Sequence, residues 1–303
     1  MKRILITGSN GLLGQKLIHL IRQQGGWDLR ATSKGDNRID SLNDLQYEAA
    51  DMEVPGELSS LVHALKPEVV INTAAVTNVD KCETEKELCR RVNVDAVKEL
   101  CEACKEIDAH LIHLSTDFVF DGENGPYSEE DEPAPLSYYG QSKLDSEEVV
   151  KNAGLSKWAI ARTIIVYGTA ENLSRSNIVL WARESMLSEK PLRIVNDQFR
   201  APTLAEDLAT GCLLIAEKEA TGIFHLSGKD IMSIYELVCR VGKFYGKPTD
   251  HVEEISSETL SQVAKRPPRT GFILDKAIRE LGYAPHSFEE GLEILEQQLA
   301  KIS

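Results

Sequence analysis

The chain has 303 residues, 42% hydrophobic and 27% charged, with a formal net charge of −14. No run of about 18 apolar residues occurs, which excludes a membrane-spanning helix. The acidic balance argues against nucleic acid as a general partner, while leaving room for an anionic small molecule held by local arginines.

The N-terminus enters a strand directly, at 3–7, with no signal-peptide pattern, so the expectation is a soluble, cytoplasmic protein. That strand runs into Gly8-Ser9-Asn10-Gly11-Leu12-Leu13-Gly14, and an amphipathic helix follows at 12–24. Strand, glycine turn and helix together form a phosphate cradle. Gly8 permits a tight turn, Gly11 lets backbone approach a pyrophosphate, and Gly14 lets the helix pack on the strand. The unpaired N–H groups of the helix start then face the phosphates, with Asn10 and Leu12 in the same turn.

Further strand patterns fall at 29–32, 69–72, 110–115 and 158–166, and helical patterns at 57–65, 85–107 and 142–151. This alternation predicts an α/β fold of Rossmann type: a doubly wound parallel sheet with helices on both faces and ligands beyond the carboxyl ends of the strands. After residue 167 the alternation weakens. A polar stretch at 171–176 precedes helical patterns at 177–187 and 204–217, a strand at 223–226, a segment at 233–245, and two short helices ending near 300. The economical division is a nucleotide-binding domain over 1–167 and a smaller, interleaved substrate lobe over 168–303. Part of 204–226 is expected to return to the first domain.

Two features point to redox chemistry. Ser115-Thr116 closes the strand at 110–115, and Tyr139-Gly140-Gln141-Ser142-Lys143 opens a helix. Tyr139 and Lys143, four residues apart, share a helix face. An ammonium there stabilises the phenolate and makes the phenol a usable proton donor, with Thr116 able to bond both the phenol and a substrate carbonyl. The second strand ends in Ala31-Thr32-Ser33-Lys34, with Arg38 shortly after. A hydroxyl and a cation suit the 2′-phosphate of NADPH better than the ribose hydroxyl of NADH, which an acidic residue normally binds. NADPH is therefore the expected cofactor and NADH the second option. Arg200, Arg266 and Arg269 are candidate partners for a substrate diphosphate. His113 reads as a packed core histidine and Glu289-Glu290 as a solvated face. The six cysteines read as reduced thiols, because Cys101-x-x-Cys104 lacks a second ligand pair. No metal site is expected.

On the glycine motif, Asn72-Thr73-Ala74-Ala75, Asn93 and the Tyr139/Lys143 pair, the chain resembles the extended short-chain dehydrogenase/reductase superfamily. Within it, the chain is most similar to the dTDP-4-dehydrorhamnose reductase family. The stretches that carry this likeness are 74–83, Ser115-Thr116-Asp117-Phe118-Val119-Phe120-Asp121-Gly122, 135–144, Asn196-Asp197-Gln198-Phe199-Arg200-Ala201-Pro202-Thr203 and Arg266-Pro267-Pro268-Arg269. The resemblance implies Thr116, Tyr139 and Lys143 as a catalytic trio and Gly8, Gly11 and Gly14 at the cofactor pyrophosphate. It places Asp51 and Met52 at the adenine and Ala74 and Ala75 along the cofactor. It also implies Thr77, Asp117, Arg200, Arg266 and Arg269 toward substrate, with Asp117 either a substrate contact or a structural acceptor.

The activity so implied is NADPH-dependent reduction of the 4-keto group of a nucleotide-linked 4-keto-6-deoxy sugar, as in dTDP-L-rhamnose synthesis. A homodimer is the assembly it suggests. Phe118 and Ile165 depart from the family pattern, which has aromatic Tyr and Trp there. Strings such as His225-Leu226-Ser227-Gly228 also resemble the regulatory beta subunit of methionine adenosyltransferase, which leaves an NADP-binding regulatory protein as the rival. A nucleotide-sugar epimerase or dehydratase is the third reading, and Phe118 after Asp117 disfavours the dehydratase.

Overall fold

The protein is described here from a computed structural model covering residues 1–188, 190–260 and 262–302. The first half alternates as β1 (Lys2–Thr7), α1 (Leu12–Gln24), β2 (Trp27–Thr32), α2 (Glu57–Leu65) and β3 (Val69–Asn72), then α3 (Val79–Thr84) and α4 (Lys86–Arg90). A π-helical turn (Arg91–Asp95), α5 (Ala96–Glu106), β4 (His110–Thr116), α6 (Tyr138–Asn152), β5 (Trp158–Thr163) and β6 (Val166–Tyr167) follow. The second half runs α7 (Ile178–Ser188), β7 (Leu192–Val195), β8 (Phe199–Arg200), β9 (Thr203–Leu204), α8 (Ala205–Glu217) and β10 (Gly222–His225). It ends with β11 (Met232–Ser233), α9 (Ile234–Phe244), β12 (Val252–Ile255) and α10 (Phe288–Ile302).

Six parallel strands form the main sheet in the order β2-β1-β3-β4-β5-β10, and residues 46–50 lie along the outer side of β2. Period-two alternation divides each strand between two cores. Ile4 and Ile6 of β1 face α1 and α8, where Leu17, Ile18, Leu208 and Cys212 are fully buried. Leu5, with Val70 and Leu111, faces Leu61 and Val62 of α2 and Val97 and Leu100 of α5. Each such aliphatic side chain contributes about 1.5–3 kcal/mol by leaving water. A third core, with Val179, Met186, Leu237, Val241 and Leu292, holds α7, α9 and α10 together.

The late strand of the sequence reading enters the main sheet as β10, pairing in parallel with β5 from Gly222↔Ala159 to His225↔Arg162. Four parts of the chain differ from expectation. The helix expected over 85–107 is broken by the π-helical turn, because the Asn93 side chain leaves the helix to bind Val76. Its Oδ1 accepts from Val76 N at 2.8 Å and its Nδ2 donates to Val76 O at 3.0 Å. The helix expected at 142–151 begins earlier, at Tyr138, because Ser137 caps it by accepting from Gly140 N. The strand expected over 158–166 stops at Thr163, where Ile165 turns to φ 26° and the chain leaves to pair with β9. In place of two short C-terminal helices there is a π-helical turn (Ala277–Leu281) and then the longer α10.

Helix α6 is tied to the sheet by charge. Glu147 accepts from Arg162 Nε at 2.9 Å and Nη2 at 2.6 Å, and Ser115 Oγ donates to the same carboxylate at 2.5 Å. Both ion-pair partners are at most 1% exposed. Removing one partner strands the other charge in the core. Glu147→Ala is therefore expected to lower stability by about 3–5 kcal/mol in chemical denaturation, with Glu147→Leu/Arg162→Met recovering most of it.

Candidate active site

Strand order reverses between β1 and β3, and a cleft of about 1070 Å³ opens at the carboxyl ends there. Its floor is the glycine loop. Gly8 adopts φ +65°, and a Cβ there would lie 2.7 Å from Ala74 N. A Cβ on Gly14 would lie 2.5 Å from Gly8 O and 2.7 Å from Ser9 Cα, so this glycine seats α1 under the loop rather than lining the cleft. Among the described residues no side chain caps α1 at Gly11, which leaves its first N–H groups facing the cleft.

Asn10 ties the loop to the next turn: its Nδ2 donates to Asp36 O at 2.9 Å and its Oδ1 accepts from Arg38 N at 3.0 Å. Leu12, Ser33, Asp51, Met52, Ala74 and Ala75 line the same end. Thr32 Oγ1 is buried there without a hydrogen-bond partner among the described residues, a group a ligand could satisfy. Lys34 also lines the cleft, but Asp51 at 3.0 Å and Glu53 at 2.8 Å already pair its ammonium. Arg38 has no ion pair among the described residues and is the freer cation at this end. Glycine cradle, helix start and unpaired hydroxyl together fit a dinucleotide.

Thr116, Tyr139 and Lys143 come together at the middle of the cleft. Burial pushes the Tyr139 phenol above its ordinary range, against a hydrogen bond from Thr116 that acts the other way. Burial brings the Lys143 ammonium down to about 8, while the nearby Glu147 and Cys89 act to raise it. Asn93, in the π-helical turn, donates to Ser142 Oγ at 3.0 Å, and Ser142 Oγ donates to Tyr139 O at 2.7 Å, which holds the start of α6 from that side. Tyr139 packs edge-on to Phe118 at 5.7 Å between ring centroids and caps the buried thiols of Cys82 and Cys89.

The substrate candidates divide. Thr77, Asp117, Arg200 and Arg266 line the cleft, together with Gln198. Arg269 does not; it is exposed, with its guanidinium 5.0 Å from the Phe199 ring centroid. Asp117 behaves as a structural acceptor, receiving Thr270 Oγ1 at 2.5 Å and facing Arg200 Nε at 3.7 Å, both ions being at most 3% exposed. Desolvation raises the Asp117 carboxyl and lowers the Arg200 guanidinium from their ordinary values. Arg266 is held by Asp80 at 2.7 Å.

Sequence reasoning missed Arg175, which donates to Thr77 Oγ1 across the cleft from a polar segment with no motif to mark it. It also missed the Glu147–Arg162 pair. The available signal was the spacing of His113 and Ser115, two polar side chains on one face of a buried strand, opposite Ser146 and Glu147. Among the described residues, no group of three His, Cys, Asp or Glu is placed to hold a metal, and no helix is long and apolar enough to cross a membrane.

A family model described as the RmlD substrate binding domain matches residues 1–300. The methionine adenosyltransferase 2 subunit beta of Pongo abelii is 34% identical over 264 residues, covering 86% of this chain and 77% of that protein. A dTDP-4-dehydrorhamnose reductase structure from Clostridium acetobutylicum superposes with TM-score 0.84 at 30% identity, over 98% of this chain and 99% of that one. The Bacillus anthracis dTDP-4-dehydrorhamnose reductase, solved with NADP, gives TM-score 0.85 at 27% identity over 98% and 100%.

The glycine cradle has a direct test. Gly14→Ala forces the Gly8 carbonyl to move, and losing one charge-assisted phosphate hydrogen bond weakens binding by about 1.5 kcal/mol or more. Dinucleotide affinity measured by calorimetry is expected to fall at least about tenfold.

Proposed function

Because the chain belongs to the RmlD substrate binding domain family, we propose that it is an NADPH-dependent reductase of the 4-keto group of a nucleotide-linked 4-keto-6-deoxy sugar, with dTDP-4-dehydrorhamnose as the first candidate. The observation that carries this reading is the convergence of Thr116, Tyr139 and Lys143 in one cleft beside an intact phosphate cradle. Residues 1–167, with part of 204–226, are assigned to the cofactor and the rest of 168–303 to the sugar nucleotide.

Gly8, Gly11 and the start of α1 would hold the pyrophosphate, Asp51 and Met52 the adenine end, and Arg38 with Ser33 the 2′-phosphate. The bound cofactor supplies hydride to the carbonyl carbon. The Tyr139 hydroxyl gives its proton to the carbonyl oxygen, so the ketone becomes a secondary alcohol and the phenol a phenolate. Lys143, which would also hold the nicotinamide ribose, offsets that charge from one turn along α6, and Thr116 holds the carbonyl oxygen toward the phenol. Burial keeps Tyr139 protonated until substrate arrives. Solvent then restores its proton.

Phosphate binding remote from the reacting carbon would orient the sugar. Arg175, Arg200 and Arg266 are cations of the cleft available to it, with Arg200 already offset by Asp117 and Arg266 by Asp80. A regulatory, NADP-binding subunit is the second reading, favoured by the 34% identity to methionine adenosyltransferase 2 subunit beta. The two separate on turnover.

Purified protein with NADPH and dTDP-4-dehydrorhamnose should consume nicotinamide absorbance. Tyr139→Phe should keep cofactor affinity and lose about 10²–10⁴-fold in rate. Cofactor binding with no turnover of any keto-sugar would favour the regulatory reading. The rate should also fall on the alkaline side, with a midpoint near 8, as Lys143 loses its proton. Arg38→Ala should reduce the preference for NADPH over NADH by about tenfold, the worth of one charged hydrogen bond.

A further inference from the structure

Beneath the cleft, four buried polar side chains form a line from the glycine loop to α6. Thr7 Oγ1, at the end of β1, lies 2.6 Å from Asn72 Oδ1 at the end of β3. The Asn72 amide lies 3.1 Å from His113 Nδ1 in β4, and His113 Nε2 lies 3.2 Å from Lys143 Nζ. None of the four is more than 2% exposed. Ser146 Oγ also sits 3.0 Å from Nε2, but its own proton goes to Lys143 O at 2.7 Å.

The chemistry of the end group orders the whole line. An ammonium has protons to give and no lone pair to offer. Nε2 can hydrogen-bond to it only as an acceptor, which requires the single proton of a neutral ring to sit on Nδ1. Nδ1–H then needs an acceptor. The Asn72 amide provides one through its oxygen after a half turn that exchanges its two ends, and its nitrogen then donates to Thr7 Oγ1. With the ring proton on Nε2 instead, Ser146 Oγ at 3.0 Å would receive it, and the buried Nζ would lose His113 as its hydrogen-bond acceptor.

The surroundings make this choice matter. Burial acts against charge on both groups, holding His113 well below its ordinary range and bringing Lys143 down. Glu147 on α6 and Cys89 on α4 favour a charged Lys143 through space, and Tyr139 shares its helix face. Among the described residues, His113 is the ring within hydrogen-bonding distance of Nζ.

We propose that His113 is a positioning residue: its Nε2 accepts from Lys143 and keeps that side chain an ammonium, while Asn72 and Thr7 fix the ring proton on Nδ1. The proposal rests on the reductase reading only in taking Lys143 as the group that serves Tyr139.

The ring state is read directly by nitrogen NMR of histidine-labelled protein, with His113→Gln identifying the signal. A bare Nε2 and a protonated Nδ1 near neutral pH are expected; a protonated Nε2 overturns the proposal. NADPH affinity against pH gives a second readout that needs no turnover. His113→Leu should move the alkaline midpoint down by about one pH unit, since the charged form loses a hydrogen bond. His113→Gln, whose amide oxygen still accepts, should recover at least half of that shift. Equal midpoints in all three proteins, with thermal melting recorded separately, would mean that His113 only fills space. Should His113→Leu fail to fold, the wild-type ring state decides alone. A wild type that turns over no keto-sugar removes the reductase reading and leaves these two measurements to judge His113.

Discussion

Helix α6 turns charge toward the sheet, and the rest of the molecule is arranged to make that tolerable. Lys143, Ser146 and Glu147 lie on one helical face and are each at most 2% exposed. An apolar face could settle on the sheet in several neighbouring registers, whereas a buried carboxylate must meet its guanidinium in one. Glu147 meets Arg162 of β5 and Ser115 of β4 together, which locks α6 across two strands. The same lock sets where Tyr139 stands, two turns earlier. Buried ion pairs of this kind add little net stability over an apolar equivalent. Here the pair supplies a fixed position.

The substrate side shows a second kind of balance. Arg200 and Arg266 face the cleft with their charges already met by Asp117 and Asp80. Asp117 also joins the end of β4 to the C-terminal segment through Thr270. A phosphate entering there meets cations held in place by carboxylates, which gives direction at the expense of net field. Arg38 and Arg175, on loops at the rim, carry less compensated charge. This arrangement serves a reductase and a nucleotide-dependent regulatory subunit equally well as a binding device. The buried Tyr139 and Lys143 at the centre are what the regulatory role does not require.

Much of this was legible in the sequence because it was local. The glycine turn, the alternation of strand and helix, and the four-residue step from Tyr139 to Lys143 are short-range patterns, and α1, α2 and β3 fall where the periodicity puts them. The misses are tertiary. Nothing local to 85–107 announces that the helix will widen into a π-helical turn where the Asn93 side chain pairs with Val76, and nothing near residue 165 announces that the chain must leave the sheet to meet β9. The fate of each cation was equally hidden. Lys34, Arg200 and Arg266 were chosen by residue type, but their partners lie 17 residues or more away in sequence and decide how much charge is left. His113 read as packing because a lone histidine in an apolar strand usually is; its neighbour Lys143 is 30 residues on.

The placement of β10 bears on how the chain is made. The sheet's last strand arrives at residue 222, roughly 60 residues after β5 has been completed. At ribosomal rates of about 5–20 residues per second, β5 waits about 3–12 s with one edge unpaired. Its Ala159, Ile160 and Ala161 are apolar, and His225, which later lies 3.5 Å from Arg162, has not yet emerged. An open apolar edge beside an incompletely packed charge is a surface that other nascent strands can join. Translation speed between β5 and β10 therefore sets how long the chain is vulnerable to mispairing.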